Sequence, residues 1–419
     1  MKLCLGFFAA TAALFSQTPP AAPAAEPDPI KTVVSRLDLE KYKATIKGLT
    51  RFGDRRQGTE RNRAAIDWIE AQLKSYGCTN TERITYDYQP PAGRGPAPNA
   101  DGGNPPPAAS TPGANPGANP GAGRGGAGRG GRQGGGTPRG IRAKTGVNND
   151  PNLQPDEKLR ALDTPPSVPG ERQEVFCTKV GTTHPEEMYI VSAHMDGIGW
   201  GEAANDDGSG TAIVMEAARI LSSPDVQTER SIRFILWNNE ESGTNGAQAY
   251  VVQRQALQGK ESPAGSGKYP EPKWLGVIQH DMMLFDHGMP LKDGTLPKAQ
   301  RPEADVNIEF QSVSKMAKES AELAWKIQTA NEKYATDYPA TVGAHMTNTD
   351  SGRFQDLVPS VSLRENERGP QIGNGWDPHW HQPTDVYATF NDDDFRLGMN
   401  AVQTTLGAVS QLAGLKLKQ

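Results

Sequence analysis

Acidic and imidazole side chains directly follow three apolar stretches of the sequence. MYIVSA is followed by His194 and Asp196, FILW is followed by NNEE with Glu240 and Glu241, and GVIQ is followed by His280-Asp281. Side chains of these types act as general acids and bases or bind metal ions. Taken alone, each has a simpler interpretation, because paired acids often begin a helix and a single histidine is usually structural.

The loop NDDGSG, with Asp206, adds further acids close to the first of these stretches. Carboxylates that gather at one place repel one another unless cations compensate them. Histidine together with Asp and Glu, and without cysteine, favours zinc or a similar borderline metal over calcium. A closely spaced pair of metal ions would also need one carboxylate as a bridge.

Segments typical of strands and helices alternate along the chain and must position these side chains. Strands are predicted at 82–88, in 174–194 (two strands around a turn), and at 231–237, 274–279 and 359–363; helices are predicted at 59–76, 209–221, after Gly243, at 312–327 and from Phe395. This alternation predicts a three-layer α/β/α sandwich, one domain around a mixed, largely parallel sheet. Such sheets bind ligands at the carboxyl ends of their strands, so the chemistry-bearing residues are expected to meet at one edge.

Residues 89–169 differ from the rest of the chain in composition. They contain the tandem ANPGANPG and GRGGAGRGGRQGGG, and they contribute much of the chain's 46 Gly and 34 Pro. Such a segment cannot bury apolar surface, which predicts a disordered insertion between residues 30–88 and 170–419 of the domain. The insertion is basic, and a solvated tether or a loose contact with an anionic cell-surface polymer is a better interpretation of it than RNA binding.

The N-terminal residues 1–25 are typical of a secretory signal peptide and spacer. Lys2 precedes a short apolar stretch and then Pro and Ala, which predicts export to the periplasm or beyond the cell, with an open cleavage position. Removal of the signal peptide would also remove Cys4. The other two cysteines, Cys78 and Cys177, either form a disulfide or are two buried free thiols. The net charge of −5 indicates neither a nucleic acid nor an anionic membrane as partner, and no membrane span is predicted.

Five motifs in order resemble a known family. They are H-x-D at His194, N-D-D-G-S-G, N-E-E-S-G, D-M-M at Asp281 and H-Q-P-T-D at His381. Together they resemble the di-zinc aminopeptidases of metallopeptidase clan MH, which include secreted bacterial leucyl-type aminopeptidases and plasma glutamate carboxypeptidase. The resemblance covers roughly Val33–Asp87 and Glu174–Leu415, and it implies the same α/β/α fold.

The resemblance also implies a ligand set for two Zn²⁺ ions. One ion would be bound by His194, Asp206 and Asp281, and the other by Asp206, Glu241 and His381, with Asp206 as the bridge. Three carboxylates and a hydroxide would balance the charge of two zinc ions, so that the cluster could lie partly buried.

Glu240 matches the family's general base, which would take a proton from metal-activated water and pass it to the leaving amine. Asp196 is expected to hold the second imidazole nitrogen of His194. Asp206-Asp207 matches the position of an unusual cis peptide in the family. Asp350 and His345 are candidates for the substrate edge of the site.

The chain departs from the family pattern at Gln279-His280, where Asn is common two residues before the aspartate. His280 is expected to point away from the cluster, and His184 is expected to be structural. The function implied is a secreted zinc exopeptidase, an aminopeptidase acting on peptides. A carboxypeptidase or dipeptidase, which would need an Arg such as Arg353, Arg364 or Arg368 for the substrate carboxylate, and a glutaminyl cyclase are alternatives, and a non-catalytic binding module is less favoured.

Overall fold

A computed structural model of the protein describes residues 28–78, 80–90, 147–163, 169–285, 306–344, 349–365 and 377–418. The strands are β1 (Glu82–Tyr88), β2 (Gly170–Lys179), β3 (His184–His194), β4 (Val226–Thr228), β5 (Arg230–Trp237), β6 (Lys273–His280), β7 (Val306–Glu309), β8 (Ala340–Gly343), β9 (Ser360–Arg364) and β10 (Leu415–Leu417). The helices are α1 (Pro29–Val34), α2 (Leu39–Thr50), α3 (Glu60–Ser75), α4 (Glu157–Leu162), α5 (Gly208–Leu221), α6 (Asn245–Arg254), α7 (Ala317–Tyr334) and α8 (Asp392–Ala413).

Eight of the strands form one mixed sheet in the order β1-β2-β5-β3-β6-β9-β7-β8. The four central strands β5, β3, β6 and β9 are parallel to one another, whereas β2 and β7 run antiparallel to their central neighbours. The carboxyl ends of the four parallel strands therefore lie at the same edge of the sheet. The predicted α/β/α fold with a largely parallel centre is confirmed.

The central strands are apolar along their length because helices cover both faces of the sheet. On one face, α5 packs with α2 and α8, and nearly all of α5 is buried. On the other face, Trp237, Tyr250 and Phe354 form an aromatic cluster with ring centroids 5.2–6.2 Å apart. Burial of this much apolar surface on both sides holds the strand ends in fixed positions.

The boundaries of α7 differ from the prediction of a helix at 312–327. The helix begins at Ala317, and Val313, which fits the apolar spacing of the predicted helix, is 69% exposed in the preceding turn. Leu323 and Ile327 do face the core as expected. The apolar spacing indicated the helix correctly but could not show that its first turns form a separate loop.

Residues 147–163 differ from the prediction more strongly. They were assigned to the disordered insertion, yet they form a short 3-10 turn (Pro151–Leu153) and α4, and they pack on the domain. The prediction was wrong for this part because polar hydrogen bonds, rather than apolar burial, hold it in place. The rest of the predicted insertion between 91 and 146 and the predicted signal peptide lie outside the described residues.

Cys78 and Cys177 form a disulfide with a Cα–Cα distance of 6.0 Å, and both residues are buried. It joins the segment after α3 to β2 over a sequence separation of 99 residues. The disulfide thus links the two parts of the domain on either side of the predicted insertion. Within the described residues, no helix combines the length and the apolar character needed to cross a membrane.

Candidate metal centre

The predicted ligand residues meet at the carboxyl edge of the sheet. His194 is the last residue of β3, Glu241 lies in the loop after β5, and Asp281 directly follows β6. Asp206 lies in the loop that leads from β3 into α5, and His381 lies in the loop before α8. Neighbouring parallel strands therefore bring together side chains that are far apart in the sequence.

These side chains form two groups, each able to hold a metal ion. The first group is His194, Asp206 and Asp281, and the second is Asp206, Glu241 and His381; in each, the potential ligand atoms lie within 4.8 Å of one another. Asp206 belongs to both groups. Its Oδ1 lies 3.2 Å from Nε2 of His194, and its Oδ2 lies 3.0 Å from Nε2 of His381. One carboxylate oxygen is therefore directed to each group, which is the arrangement that a bridging ligand needs.

The orientation of the His194 ring is set by its other nitrogen. Nδ1 lies 3.0 Å from the main-chain carbonyl oxygen of Asp196, whereas the nearest carboxylate oxygen of Asp196 is 3.9 Å away. The carboxylate instead accepts hydrogen bonds from the main-chain N–H groups of Glu240 and Glu241, at 3.0 and 3.4 Å. Asp196 thus connects the first group to the loop after β5, in a way that the sequence did not indicate.

The carboxylates of Asp385 and Asp207 hold the loop that carries Asp206 by accepting hydrogen bonds from main-chain N–H groups. Asp385 accepts hydrogen bonds from the main-chain N–H groups of Asn205 and Asp206, at 2.8 and 3.1 Å. Asp207 caps α5 by accepting a hydrogen bond from the N–H of Gly210 and also accepts one from the N–H of His194. The Asp206-Asp207 peptide bond is cis.

A buried arginine that the sequence analysis missed also holds this loop. Arg55 is fully buried, and its guanidinium donates hydrogen bonds to the carbonyl oxygens of Met195, Glu202 and Ala203 at 2.7–2.8 Å. All three acceptors lie between His194 and Asp206. Two adjacent arginines in RRQGT were the only sign of it in the sequence.

The second group is built around the His381 imidazole. Nε2 of His381 lies 2.9 Å from Oε2 of Glu241, and the ring stacks on that of Trp380 with centroids 4.1 Å apart. The backbone of His381 has a φ of +57°, in the left-handed region that residues other than glycine rarely adopt. Its position therefore depends on the surrounding structure rather than on local preference.

Burial and neighbouring charges shift the pKa values of the site in opposite directions. Burial raises the pKa of Glu240 well above its usual range and that of Glu241 to about 7. For Asp206, burial alone would raise the pKa, but hydrogen bonds from His194 and His381 lower it below its ordinary value. Asp206 thus stays ionised beside Glu240 and Glu241, whose negative charge is costly.

Asp281 has a partner that the sequence analysis did not assign to it. Arg364, the last residue of β9, donates a hydrogen bond from Nη2 to Oδ2 of Asp281 at 2.6 Å. Burial would raise the pKa of Asp281, but the Arg364 guanidinium and His194 lower it. Oδ1, which lies 3.9 Å from Nε2 of His194, remains directed to the first group.

The donor set fits two zinc ions. Both imidazoles offer Nε2 to the centre, and carboxylate oxygens supply the other ligand atoms, as zinc prefers. Oε1 of Glu241 and Nδ1 of His381 are buried and have no hydrogen-bond partner among the described residues. Buried polar atoms are normally satisfied, so a carboxylate oxygen left without a partner here is consistent with a bound cation.

Of the other singled-out residues, His280 and Asp350 lie within the described part of the chain, and neither belongs to a ligand group. His280 is fully buried and points to α8, with its ring nitrogens 3.0 Å from Ser192 O and 2.7 Å from Thr405 Oγ1. Asp350 is buried near the site, where Gln279 donates to its Oδ2 at 3.3 Å, and burial raises its pKa to about 8. His345 lies outside the described residues.

Two arginines considered for a substrate carboxylate are engaged elsewhere. Arg353 donates to Thr244 Oγ1, to the carbonyl oxygen of Gly243 and to Gln248 on α6, while Arg364 is bound to Asp281. Arg368 lies outside the described residues.

Fold and donor set together define the class of the protein: an α/β/α domain with a candidate metal centre at the carboxyl edge of its sheet. The chain belongs to peptidase family M28, whose family model matches residues 175–404. The resemblance deduced from the five motifs is thereby confirmed.

Individual relatives agree with this assignment. The chain is 28% identical over 219 residues to the probable lipoprotein aminopeptidase LpqL of Mycobacterium tuberculosis, covering 51% of this chain and 41% of that protein. It is 39% identical over 71 residues to carboxypeptidase Q of Xenopus laevis, covering 17% of this chain and 15% of that protein. The matches therefore span less than half the length of these relatives.

Solved structures share the fold at low sequence identity. The zinc aminopeptidase BSAP from Bacillus subtilis superposes with a TM-score of 0.55 at 16% identity, covering 91% of this chain and 96% of that chain. The likeness establishes a common fold.

Proposed function

We propose that this protein is a zinc-dependent exopeptidase that binds two zinc ions and removes N-terminal residues from peptides. The observation that carries the proposal is the position of Asp206, with one carboxylate oxygen directed to His194 and the other to His381. Membership of peptidase family M28 supports peptide-bond hydrolysis. The description of LpqL as a probable aminopeptidase supports action from the amino end.

In this proposal, one ion is held by His194, Asp206 and Asp281 and the other by Asp206, Glu241 and His381. When bound, the ions lower the pKa of a water molecule and polarise the carbonyl group of the scissile bond.

Glu240 is assigned the transfer of the proton. The hydrogen bond from its main-chain N–H to Asp196 fixes its backbone beside the ligand Glu241. Its carboxylate would take the proton released by the water, hold it, and deliver it to the nitrogen of the leaving amine.

An aminopeptidase is favoured over a carboxypeptidase or dipeptidase because two of the arginines that could bind a substrate carboxylate are already engaged within the chain. A free substrate carboxylate calls for a cationic partner, but Arg353 and Arg364 already bind groups of the chain itself. A glutaminyl cyclase on the same scaffold is the third candidate. A non-catalytic binding module is disfavoured because both ligand groups are complete.

Export belongs to the same proposal. The apolar stretch before residue 16 is typical of a secretory signal. The Cys78–Cys177 disulfide supports an oxidising compartment. N-terminal sequencing of protein recovered from outside the cytoplasm tests this point: a mature chain that still starts at Met1 would contradict it.

Zinc analysis combined with a peptide panel tests the function. We expect about two equivalents of zinc per chain, hydrolysis of peptides with a free N-terminus, and no hydrolysis of N-acetylated ones. Cleavage of N-acetylated peptides with a free C-terminus would identify a carboxypeptidase, and ring closure of N-terminal glutamine would identify a cyclase. Protein that takes up no zinc would overturn the proposal.

A further inference from the structure

Residues 147–163, referred to below as the strap, pack against the candidate metal centre without a hydrophobic anchor. Three of their large apolar side chains are at least 38% exposed (Val147, Leu153 and Leu162), and Leu159 is only half-buried. The buried residues of the strap are polar: Asn148, Gln154 and Asp163. Buried polar side chains are normally held by hydrogen bonds, so the partners of these three residues explain why the strap docks where it does.

Asn148 joins two loops of the site. Its main-chain N–H donates to the carbonyl oxygen of His381 at 3.0 Å, and its side-chain Nδ2 donates to the carbonyl oxygen of Gly199 at 3.2 Å. Gly199 belongs to the loop between the ligands His194 and Asp206. One residue of the strap thus connects the backbone of a second-group ligand to the loop of the first group.

Gln154 makes the same connection at a second point. Its Nε2 donates to the carbonyl oxygens of Trp200 at 2.6 Å and Pro383 at 3.0 Å, while its Oε1 accepts from the N–H of Asp156. Trp200 follows Gly199, and Pro383 lies two residues after His381. The strap therefore ties the same two loops together twice.

Asp163 anchors the far end of the strap. Its Oδ1 accepts a hydrogen bond from the N–H of Asp54 at 3.1 Å and lies 3.5 Å from Nε of Arg61. Asp54 precedes Arg55, whose guanidinium holds the loop between His194 and Asp206. Both ends of the strap thus contact elements that position the first group.

His381 has particular need of such support. Its φ of +57° is a backbone conformation that persists in a residue other than glycine only where surrounding contacts impose it. Gly199 packs so closely on it that a Cβ at that position would lie 2.4 Å from the carbonyl carbon of His381. The strap donates to the carbonyl groups on both sides of this contact.

We propose that the strap is a positioning element for the second metal ion: Asn148 and Gln154 lock the His381 loop to the Gly199 loop and so place the His381 imidazole opposite Asp206 and Glu241. The inference rests on the proposed zinc pair. It assigns a role in the site to a segment that the sequence analysis placed in the disordered insertion, and it makes Asn148 and Gln154 positioning residues rather than ligands.

The test is a zinc titration of the whole protein with the variant Asn148→Ala/Gln154→Ala, in competition with a chromophoric chelator. We expect one zinc equivalent to bind about 10–100-fold more weakly than in wild type, in keeping with the loss of groups that orient a ligand. The other equivalent should keep its affinity. Asn149→Ala/Asn152→Ala is the matched control, because both side chains are exposed and bond only within the strap.

A double-mutant cycle identifies the affected ion. In a His381→Ala background, the strap substitutions should leave the remaining zinc affinity unchanged. If the double variant does not fold, Asn148→Ala and Gln154→Ala each remove one connection and should each give part of the loss.

Three results overturn the inference, and they can be distinguished from one another. If wild type binds two zinc ions and the strap variants bind both with the wild-type affinities, the positioning role of the strap is refuted and the proposed function is not. A loss of both affinities in parallel with thermal stability also refutes it, since that is the effect of a merely structural segment. If wild type binds no zinc, both the proposed function and the positioning role of the strap are refuted.

Discussion

Arg364 donates a hydrogen bond to Asp281 across 2.6 Å, and both side chains are buried. The pair lies at the ends of the neighbouring strands β9 and β6. It neutralises one acid of a site rich in carboxylates and leaves a single oxygen of Asp281 directed to His194. Arg364 is therefore expected to stabilise the site chiefly when no metal ion does so.

Arg364→Met should lower the free energy of unfolding by about 3–5 kcal/mol in the presence of a chelator, because it leaves a buried carboxylate without its partner. The loss should be smaller with zinc, which compensates the same charge. Urea unfolding with and without zinc measures both values. Arg396→Met is the control, since its pair with Asp393 is half exposed and should contribute only about 0–1 kcal/mol. Equal losses in zinc and in chelator would contradict the prediction.

Glu240→Gln should reduce kcat about 10²–10⁴-fold, because the amide cannot take up a proton. Zinc content should not change, since Glu240 belongs to neither ligand group. Steady-state kinetics on a free-amine peptide, together with metal analysis, measure both effects. The exposed Glu171→Gln serves as the control. Turnover at the wild-type rate would exclude Glu240 as the base.

Asp196→Asn tests whether the carboxylate of Asp196 orients Glu240 and Glu241, while its main-chain oxygen orients the ring of His194. The amide can accept from only one of the N–H groups of Glu240 and Glu241 and turns its own NH₂ toward the other, so kcat should fall about 10–100-fold. Zinc binding by His194 should be retained, because Nδ1 of that ring bonds to the main-chain oxygen of Asp196. Weakened binding at the His194 group with normal kcat would point to the carboxylate as the ring's partner instead.

Gly199→Ala should displace His381 and weaken one zinc equivalent by at least about tenfold, as expected when a ligand loses its orientation. The added Cβ would lie 2.4 Å from the His381 carbonyl carbon. Gly265→Ala is a close control, since Gly265 also has a positive φ but no atom within 4 Å of its Cβ position. Zinc titration of both variants shows whether the loss of zinc affinity in Gly199→Ala comes from the close contact with His381 or from a positive φ alone. Equal effects of the two substitutions would exclude the close contact as the cause.

Removal of the disulfide by Cys78→Ser/Cys177→Ser should destabilise the protein by about 2–5 kcal/mol, because the bond closes a long loop in the unfolded chain. The sequence separation of 99 residues places the effect toward the upper end of this range. Urea unfolding measures it, and wild type with reductant should approach the variant. A variant as stable as wild type would show that the bond contributes nothing.

Much of the fold could be predicted because apolar strands and amphipathic helices have characteristic spacings. The strand Glu82–Tyr88 and the helix Gly208–Leu221 lie where the pattern placed them, within one residue. The first turns of α7 could not be predicted, since Val313 fits a helical spacing but faces solvent. Spacing describes local periodicity and carries no information about which contacts are available.

The sequence by itself indicated the class of protein: residue types at strand ends, in the order of five motifs, resembled a family of metallopeptidases and predicted which residues could bind metal ions. Only the tertiary structure decided how those positions are held. Arg364 on Asp281, the Asp196 carboxylate on two main-chain N–H groups, and the strap on the His381 loop all join residues at least 44 positions apart in the chain. Such contacts depend on strand order and on hydrogen bonds between loops, which no local pattern of side chains encodes.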